Sequence, residues 1–522
     1  MKRLALAVTL LASTVLAACG GGGSEPAPPP PTGGFSNASL HGRYAFTMSG
    51  TDVNGFFARV GSITADGQGN ITDGIEDVVT GAAASTLPFM PSTYQIQANG
   101  RGTIQLFNST TPANQPLVFS ITLNSTSQGL IVQTDGIATA SGNFVLQNTA
   151  AFSTAAISGG YVFDFSGEAL DNLSQPGPDS IVGQFEANGG GGITSGVLDE
   201  NFEGGLSGPT TFSNGTFTMD ATNGSTFGRG TVTLGATGLT YIYYIVDGTR
   251  LKMIEASDSA LTLGDAVAQT GNVPTTNAAF TGNFAFLTAG ASGSGTLTQA
   301  GRFTSGGSGA LTGIVVADND NGNFQTAPKG SISAATYAID PAYPGTGRGT
   351  ITFTDSSLGT FEYIVYMNSA TRGVIQNVVN ERVADGTISA QAAGPFTTAS
   401  FAGNYALNWS GISENSDLGI QGEEDYVGQL VFSSASSNNV SGALDFNAFS
   451  SNQGVFLNKT ITGNGLTING DGTQANDLSV KVNTSPAATL NFKAFVVDQN
   501  NIYVVSSDDN RSTAGVIISQ SQ

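Results

Sequence analysis

Apolar and polar residues alternate along most of the chain with a period of two. In one early segment Tyr44, Phe46 and Met48 are separated by Ala45 and Thr47. Such alternation over five to seven residues is typical of a strand that buries one face. Between residues 35 and 151 the pattern predicts eight strands, at 43–48, 56–64, 70–79, 92–98, 102–107, 117–124, 129–134 and 142–147. No amphipathic helix is predicted beyond residue 18.

Short segments rich in Gly, Asn and Asp separate these strands, as at 66–70 and 98–100. Such residues accept the backbone angles of tight turns. Eight antiparallel strands in about 120 residues predict an all-β domain that is a small up-and-down barrel, because closure removes exposed sheet edges. A two-sheet β-sandwich is the alternative.

The same pattern occurs four times. Each copy opens with Gly-x-aromatic-x-apolar and closes with a six-residue block that runs from Gly to Gln, and Gly-Arg-Gly-Thr stands between them in three copies. A period of about 120 residues is the length of a domain rather than of a solenoid repeat. We therefore predict four tandem domains in a row, with few contacts crossing between them, at 35–151, 152–273, 274–394 and 395–522.

The opening block of each copy resembles the first strand of lipocalin- and avidin-type barrels, which begin with Gly-x-Trp. Tyr or Phe holds the Trp position here, and Trp409 lies elsewhere on the strand of the fourth copy. The resemblance implies a small β-barrel and says nothing about a ligand.

The N-terminus carries a targeting signal. Lys2 and Arg3 precede an apolar run, 4–18, that is shorter than the about 20 residues of a spanning helix. The run ends in Leu-Ala-Ala-Cys, which resembles the lipobox of bacterial lipoproteins. This resemblance implies that residues 1–18 are removed and that Cys19 carries a thioether-linked diacylglycerol and an acylated amino group. An ordinary signal peptide cleaved after Ala18 is the alternative.

Residues 19–34 are predicted to be a tether. Gly20–Gly23 is flexible, Pro28–Pro31 favours stiff polyproline II, and after Cys19 no side chain is apolar and larger than Ala. Gly20 resembles the residue after the lipidated Cys in lipoproteins sorted to the outer membrane. The resemblance therefore implies a lipid-anchored protein of the outer membrane, and it leaves open whether the domains face the periplasm or the exterior.

The net charge and the scarcity of His and Cys exclude several classes of function. Lys and Arg total 17 and Asp and Glu total 38, which gives a net charge of −21 and excludes a nucleic-acid partner. An acidic body is also repelled by anionic lipid, so that the lipid anchor must hold the membrane. With His41 as the only His and Cys19 as the only Cys, we expect no zinc site, no cofactor and no enzyme.

Two motifs are candidate sites. Gly-Arg-Gly-Thr places Arg101, Arg229 and Arg348 between glycines, where a guanidinium can meet a carboxylate or sulfate. The alternative is a hairpin turn whose Arg is solvated or stacked on an aromatic ring. Asp318 and Asp320 are calcium candidates, although their loop lacks the bidentate Glu of a calcium loop. The alternative for Asp318 is an aspartate at a strand end that hydrogen-bonds a turn backbone.

Other acids and aromatics receive structural interpretations. Recurrent aspartates are expected to cap turns at strand ends, and the run 423–425 is expected to be solvated loop charge. Tyr241 and Tyr243 are predicted to fill a core, with Tyr244 on the barrel exterior. The recurrent aspartates are Asp77, Asp199, Asp318 and Asp445.

For function, the repetition favours a monomeric structural or adhesive protein of the cell envelope, because repeated weak sites raise avidity. Its partner would be a protein or glycan at the cell surface. The alternative is a binder of small ligands inside the barrels, which filled interiors would exclude. An enzyme is a distant third. A transmembrane barrel is the architectural alternative, disfavoured by the lipid anchor and the division into four.

Overall fold

The computed structural model describes residues 34–80, 83–111, 115–171, 173–256, 260–413, 422–433, 439–449, 454–485 and 487–521. Cys19 and the tether up to residue 33 lie outside these ranges. The described chain is almost entirely antiparallel β-sheet, with one four-residue helix, α1 (Gly224–Phe227). This confirms the prediction of an all-β protein built from four tandem barrel domains. No helix among the described residues has the length and apolar character needed to cross a membrane.

Domain 1 is a closed eight-stranded barrel in which each strand pairs with the next and the last pairs with the first. All eight predicted strands are present, but the fourth begins earlier than its pattern indicates. Pro88 and Pro91 interrupt the alternation there, and a register shift lies between Met90 and Thr93. The strands are β1 (His41–Asp52), β2 (Gly55–Asp66), β3 (Asn70–Thr80), β4 (Ala83–Ile96), β5 (Arg101–Asn108), β6 (Leu117–Leu123), β7 (Gln128–Gln133) and β8 (Ala138–Leu146).

Domain 2 has nine strands, because the fourth position of the barrel is occupied by two consecutive short ones that both pair with the third strand. Pairing of the second strand with the third closes the sheet. The strands are β9 (Ser158–Leu170), β10 (Pro176–Asn188), β11 (Gly192–Phe202), β12 (Gly205–Phe212), β13 (Gly215–Met219), β14 (Arg229–Thr233), β15 (Thr240–Asp247), β16 (Arg250–Glu255) and β17 (Ala260–Ala268).

Domain 3 also has nine strands, but its sheet stays open where a Pro-Lys-Gly segment (328–330) separates the fourth strand from the fifth. A single bridge, between Ala310 and Thr336, spans the opening. This departs from the predicted closed barrel, because Pro328 cannot donate to a ladder. The strands are β18 (Thr281–Ser292), β19 (Gly295–Gly306), β20 (Leu311–Asp320), β21 (Asn323–Ala327), β22 (Ile332–Ile339), β23 (Arg348–Asp355), β24 (Gly359–Met367), β25 (Arg372–Asn377) and β26 (Arg382–Ala390).

Domain 4 is again a closed barrel of eight strands, with a separate two-stranded ribbon inserted after the fourth. The barrel strands are β27 (Gly403–Ser413), β28 (Gly422–Phe432), β29 (Asn439–Phe449), β30 (Gly454–Asn464), β33 (Leu478–Val482), β34 (Ala488–Val496), β35 (Asn501–Ser506) and β36 (Arg511–Ser519), and the ribbon consists of β31 (Thr467–Ile468) and β32 (Gln474–Asn476).

Aromatic side chains fill the barrel interiors. In domain 1, Tyr44, Phe46 and Phe144 belong to one buried cluster. The ring of Phe46 lies over Gly61, where an added Cβ would come within 2.6 Å of it. The same approach occurs at Gly183 in domain 2 and at Gly301 in domain 3. These glycines therefore make room for an interior aromatic ring.

Candidate functional site

Each domain packs its first strands against the last strands of the following domain, and domain 4 packs in the same way against domain 1. We name these contacts interfaces 1–2, 2–3, 3–4 and 4–1. Each interface has its own apolar cluster, to which both domains contribute. One residue from each side, in the order of the interfaces, is given by the pairs Val60 and Ile254, Val182 and Ile364, Ala300 and Val505, and Val427 and Val132. The expectation of few contacts between the domains is wrong, because the outer faces of these strands are apolar as well.

The glutamine that ends each closing block holds the next domain. Gln147 of domain 1 donates from Nε2 to the carbonyl oxygens of Phe227 and Ile245 in domain 2. The other three reach two equivalent backbone segments of the following domain in the same way. Gln269 donates to Thr346 and Met367, Gln391 to Asp471 and Val496, and Gln520 to Asn99 and Leu123.

The contact of Gln520 closes a ring. Domains 1 to 4 are joined by covalent linkers, whereas nothing covalent joins domain 4 to domain 1. Even so, Ser521 N donates to Asn124 O at 2.8 Å, just as Asn148 N donates to Val246 O at 2.7 Å at interface 1–2. One kind of contact, repeated four times, returns to its starting domain, which is the condition for a closed cyclic arrangement.

The first candidate arginine, Arg229, lies at interface 1–2. Its Nε and Nη2 each donate at 2.8 Å to the two carboxylate oxygens of Asp77 in domain 1. The hydroxyl of Tyr244 donates to Asp77 at 2.6 Å, and Asp220 pairs with Nη1 of Arg229. Burial alone would lower the pKa of Arg229, but the hydrogen bonds and the charge of Asp77 outweigh it and raise the pKa. The guanidinium therefore stays charged at the interface.

Arg348 repeats this arrangement at interface 2–3. It donates to both carboxylate oxygens of Asp199 at 2.8 and 2.9 Å, and Tyr366 donates to the same carboxylate at 2.6 Å. Asp340 binds Nη1, and the guanidinium also lies 5.7 Å from the ring centre of Tyr343. We call the Arg, Asp and Tyr of interfaces 1–2 and 2–3 the interface triad.

Arg101 makes the corresponding pair at interface 4–1. Its Nη2 lies 2.7 Å from Asp445 Oδ1, and Thr122 stands opposite Arg101 where domains 2 and 3 have the triad tyrosine. All three candidate arginines are buried, so none is a solvated turn residue. Asp77, Asp199 and Asp445 likewise lie within strands and bind arginines, and the expectation that they cap turns is wrong.

Interface 3–4 lacks the triad. Strand register places Ala317 where the other domains have the aspartate, since Ala317 pairs with Ala300 as Asp77 pairs with Val60. Thr473 occupies the arginine position and bridges to Phe495, which occupies the tyrosine position. All three polar partners are therefore replaced together.

Asp318 and Asp320, the calcium candidates, are bound by protein groups. Arg382 lies 3.3 Å from Asp318 and 3.2 Å from Asp320, Gln299 donates to Asp318, and Ser292 donates to Asp320. Burial raises the pKa of Asp318, although the charge of Arg382 opposes this. The described residues contain no cluster of three or more His, Cys, Asp or Glu suited to a metal ion.

The acidic run 423–425 lies in β28 and is buried, so that the expectation of solvated loop charge is wrong. Glu424 forms an ion pair with Arg511, and Asp425 accepts a hydrogen bond of 2.6 Å from Thr139 of domain 1. Burial raises the pKa of Asp425 to about 7. At interface 2–3 burial likewise raises the pKa of Asp385, to about 6, and that of Asp164 beside it.

His41 is exposed and is the first residue of β1, as expected for a strand entry. Tyr241 and Tyr243 lie in the core of domain 2, as predicted. Tyr244 points to the outer face, but that face is an interface with domain 1 rather than a solvated exterior.

Several interface residues escaped sequence reasoning. Lys252 of domain 2 is buried and donates to Thr47 at 3.0 Å and to Asn143 at 2.9 Å, both in domain 1. Burial lowers its pKa to about 8. Asn201, Asn319 and Asn447 each donate to two carbonyl oxygens of the next domain. These asparagines could have been noticed in the sequence, because three of the four copies carry an Asn at this position of the third strand. The sequence does not show, however, which residues they contact.

The two ends of the barrels differ in exposed apolar side chains. In an up-and-down barrel successive turns alternate between the ends, and the chain enters domain 1 beside Ala98 at one end, the tether end. At the opposite, distal end the turns of neighbouring domains touch, as Gly204 packs on the Glu381 backbone and Gly136 lies beside Val455. Leu146 is exposed at the tether end, whereas Val53, Met90, Ile137, Leu170, Leu173, Leu206 and Leu457 are exposed in the distal half.

No known protein-family model matches this chain, and no curated protein is detectably similar to it in sequence.

Proposed function

We propose that the protein is a lipid-anchored structural or adhesive component of the cell envelope that holds a distal face toward a protein partner. The observation that carries this proposal is the asymmetry of the ring. The tether enters at one end of the barrels, and the exposed apolar side chains concentrate at the other. Contiguous exposed apolar groups mark contact surfaces.

The filled interiors support a contact role over the binding of small ligands inside the barrels. Tyr241 and Phe165 lie with ring centres 4.3 Å apart inside domain 2, and Trp409 and Phe492 lie 4.0 Å apart inside domain 4. Close-packed rings leave no space for a guest at these levels.

The interfaces support rigidity of the ring. Buried ion pairs, glutamine contacts and apolar clusters hold each domain against the next, so that the four distal ends form one surface rather than four independent beads. A surface held in place loses little conformational entropy on binding. The side chains at its most exposed positions, Val53 and Leu173, offer no hydrogen bonds, which favours a protein partner over a glycan.

The anchor is tested with Cys19→Ala and with globomycin. We expect the substitution to stall processing or to release the protein from membranes, and we expect globomycin to leave an uncleaved precursor. Normal processing and membrane retention of Cys19→Ala would contradict the anchor.

The contact face is tested by site-specific photo-crosslinking in intact cells. A photoreactive residue at Val53 or Leu173 should give a discrete adduct with another protein. The same residue at Leu146, an exposed leucine at the tether end, is the control and should give none. The absence of discrete adducts from both distal positions would contradict the proposal, whichever side of the membrane the domains occupy.

A further inference from the structure

Interface 3–4 contains two cavities that adjoin the site of the missing triad. The smaller, of about 300 Å³, is lined by Thr473 and Phe495, which replace the triad arginine and tyrosine. The larger has a volume of about 490 Å³, and Lys329 and Asp471 line both cavities. The volume of the larger cavity is within the range of small-molecule sites. At this junction Ala317, Thr473 and Phe495 stand where interfaces 1–2 and 2–3 have the three polar side chains of the triad.

Arg302 lines the larger cavity and is buried. The strand register gives the same position to Ser62 in domain 1, Gln184 in domain 2 and Gln429 in domain 4, so a cation occurs here only in domain 3. It forms no ion pair with any described carboxylate. Its partners are the neutral acceptors Gln391 Oε1, Gly313 O, Asn283 Oδ1 and Thr304 Oγ1.

The Arg302 guanidinium is therefore held in place but not neutralised. Four hydrogen bonds use four of its five N–H groups, which leaves one on Nη1. Burial lowers the pKa of Arg302, although the charge of Asp471 opposes this. A buried charge without a counter-ion is unfavourable. An anion in the cavity would remove this cost.

The other lining groups define the rest of the ligand. Lys329 is largely exposed at the cavity mouth and lies 3.4 Å from Asp471, so it can turn toward a second anion oxygen. The hydroxyl of Thr312 and the amide nitrogen of Asn283 offer hydrogen bonds to a polar body, whereas the Thr304 hydroxyl donates to Asn283 Oδ1 and accepts from Arg302. Asp471 adds a negative charge that disfavours ligands carrying several charges.

We propose that the cavity between domains 3 and 4 binds an acidic monosaccharide, whose carboxylate meets Arg302 and Lys329 and whose hydroxyl groups meet Thr312 and the amide nitrogen of Asn283. One carboxylate matches the single uncompensated guanidinium, and the hydroxyl groups match the uncharged lining. This site is separate from the distal face and does not depend on the proposed adhesive role.

The test is calorimetric titration of the full chain, in mild detergent at neutral pH, with galacturonate, glucuronate, galactose, glucose and acetate. We expect one uronate to bind per chain, and we expect the neutral sugars and acetate to bind at least about tenfold more weakly. Equal binding of the neutral sugars would overturn the role of the carboxylate, and equal binding of acetate would overturn the role of the hydroxyl groups.

Matched variants locate the site. Arg302→Gln introduces the residue that domains 2 and 4 already carry, and it should weaken uronate binding by about 10- to 100-fold. Lys329→Gln alters an exposed side chain, so folding is preserved, and it should weaken binding by a smaller factor. Lys481→Gln removes the same charge from an exposed position on β33 and should change nothing. Uronate binding that is absent in the unaltered protein, or unaffected by both cavity variants, would overturn the proposal.

Discussion

Interfaces 1–2 and 3–4 join equivalent strands with opposite chemistry. The first buries Arg229 against Asp77 and Tyr244, whereas the second has Thr473, Ala317 and Phe495 at the same positions. A buried ion pair contributes little net stability but becomes costly when one partner is removed. The comparison therefore teaches that the buried Arg and Asp are kept together or replaced together, since interface 4–1 keeps both and lacks only the tyrosine. A cavity lies at the interface where both are replaced.

The largest expected effect comes from breaking the triad at interface 1–2. Arg229→Ala leaves the fully buried carboxylate of Asp77 without its cation. Such a change typically costs about 3–5 kcal/mol. Urea unfolding should show this loss, whereas Lys481→Ala, at an exposed site, should stay within about 0.5 kcal/mol of the unaltered protein. Equal unfolding of the two variants would show that the ion pair does not hold the interface.

A second effect concerns the pH dependence of the free energy of unfolding. Its direction is opposite to that expected for a carboxylate in an ordinary ion pair. Burial raises the pKa of Asp425 to about 7 and that of Asp385 to about 6. The folded state therefore keeps protons that the unfolded state releases above about pH 4, and stability falls as pH rises from about 4 to about 7.

The stability of interfaces 4–1 and 2–3 should depend on pH in this way, because they contain these carboxyl groups. Interface 3–4 should not, because it has apolar Leu287 and Ala514 where interface 2–3 has Asp164 and Asp385. Urea unfolding should show a loss on the order of 3 kcal/mol between pH 5 and pH 8. Asp425→Asn should flatten this dependence. Greater stability at pH 8 than at pH 5 would contradict the assignment.

The glutamine contact is common to both kinds of interface and should have a smaller effect. Gln520→Ala removes two hydrogen bonds, of 3.0 and 2.8 Å, from the junction that lacks a covalent linker. Two such bonds contribute about 1–3 kcal/mol. Hydrogen exchange should quicken at the backbone amides of Leu123 and Ser521, while the corresponding amides at interface 2–3 keep their protection. Unchanged exchange at interface 4–1 would mean that the contact is not formed.

The smallest effect is expected from converting one interface into the other. The triple variant Asp77→Ala, Arg229→Thr, Tyr244→Phe gives interface 1–2 the residues of interface 3–4. It removes both charges at once, so its free energy of unfolding should lie within about 2 kcal/mol of the unaltered protein. A triple variant less stable than Arg229→Ala would contradict the view that the triad acts as a unit.

The fold was largely predictable because the period-two alternation and the turn residues are local signals. The alternation at Tyr44, Phe46 and Met48 gave the strand and its inward face. The open sheet of domain 3 was missed, since one proline at position 328 interrupts a ladder without changing the pattern around it.

The candidate site was predictable only in part. The repetition of Arg101, Arg229 and Arg348 showed that these residues matter, and the repeated terminal glutamine was visible as well. Their partners were not, because Arg229 and Asp77 lie 152 positions apart in the chain and in different domains. From the sequence, the apolar outer face of a strand is taken for a barrel exterior. Only the position of the neighbouring domain shows that this face is an interface.

The ring itself is tested most directly by pulsed electron-spin distances between equivalent exposed positions, in a Cys19→Ala background. An exposed residue lies within the first three positions of the third strand of each domain. These residues are Thr72 in β3, Thr194 in β11, Thr312 in β20 and Ser441 in β29. Spin labels on cysteines at 72 and 441 should be as far apart as labels at 72 and 194, and the pair at 72 and 312 should be about 1.4 times farther. A distance between 72 and 441 that is about three times the distance between 72 and 194 would mean an extended row of domains and would contradict the closed ring.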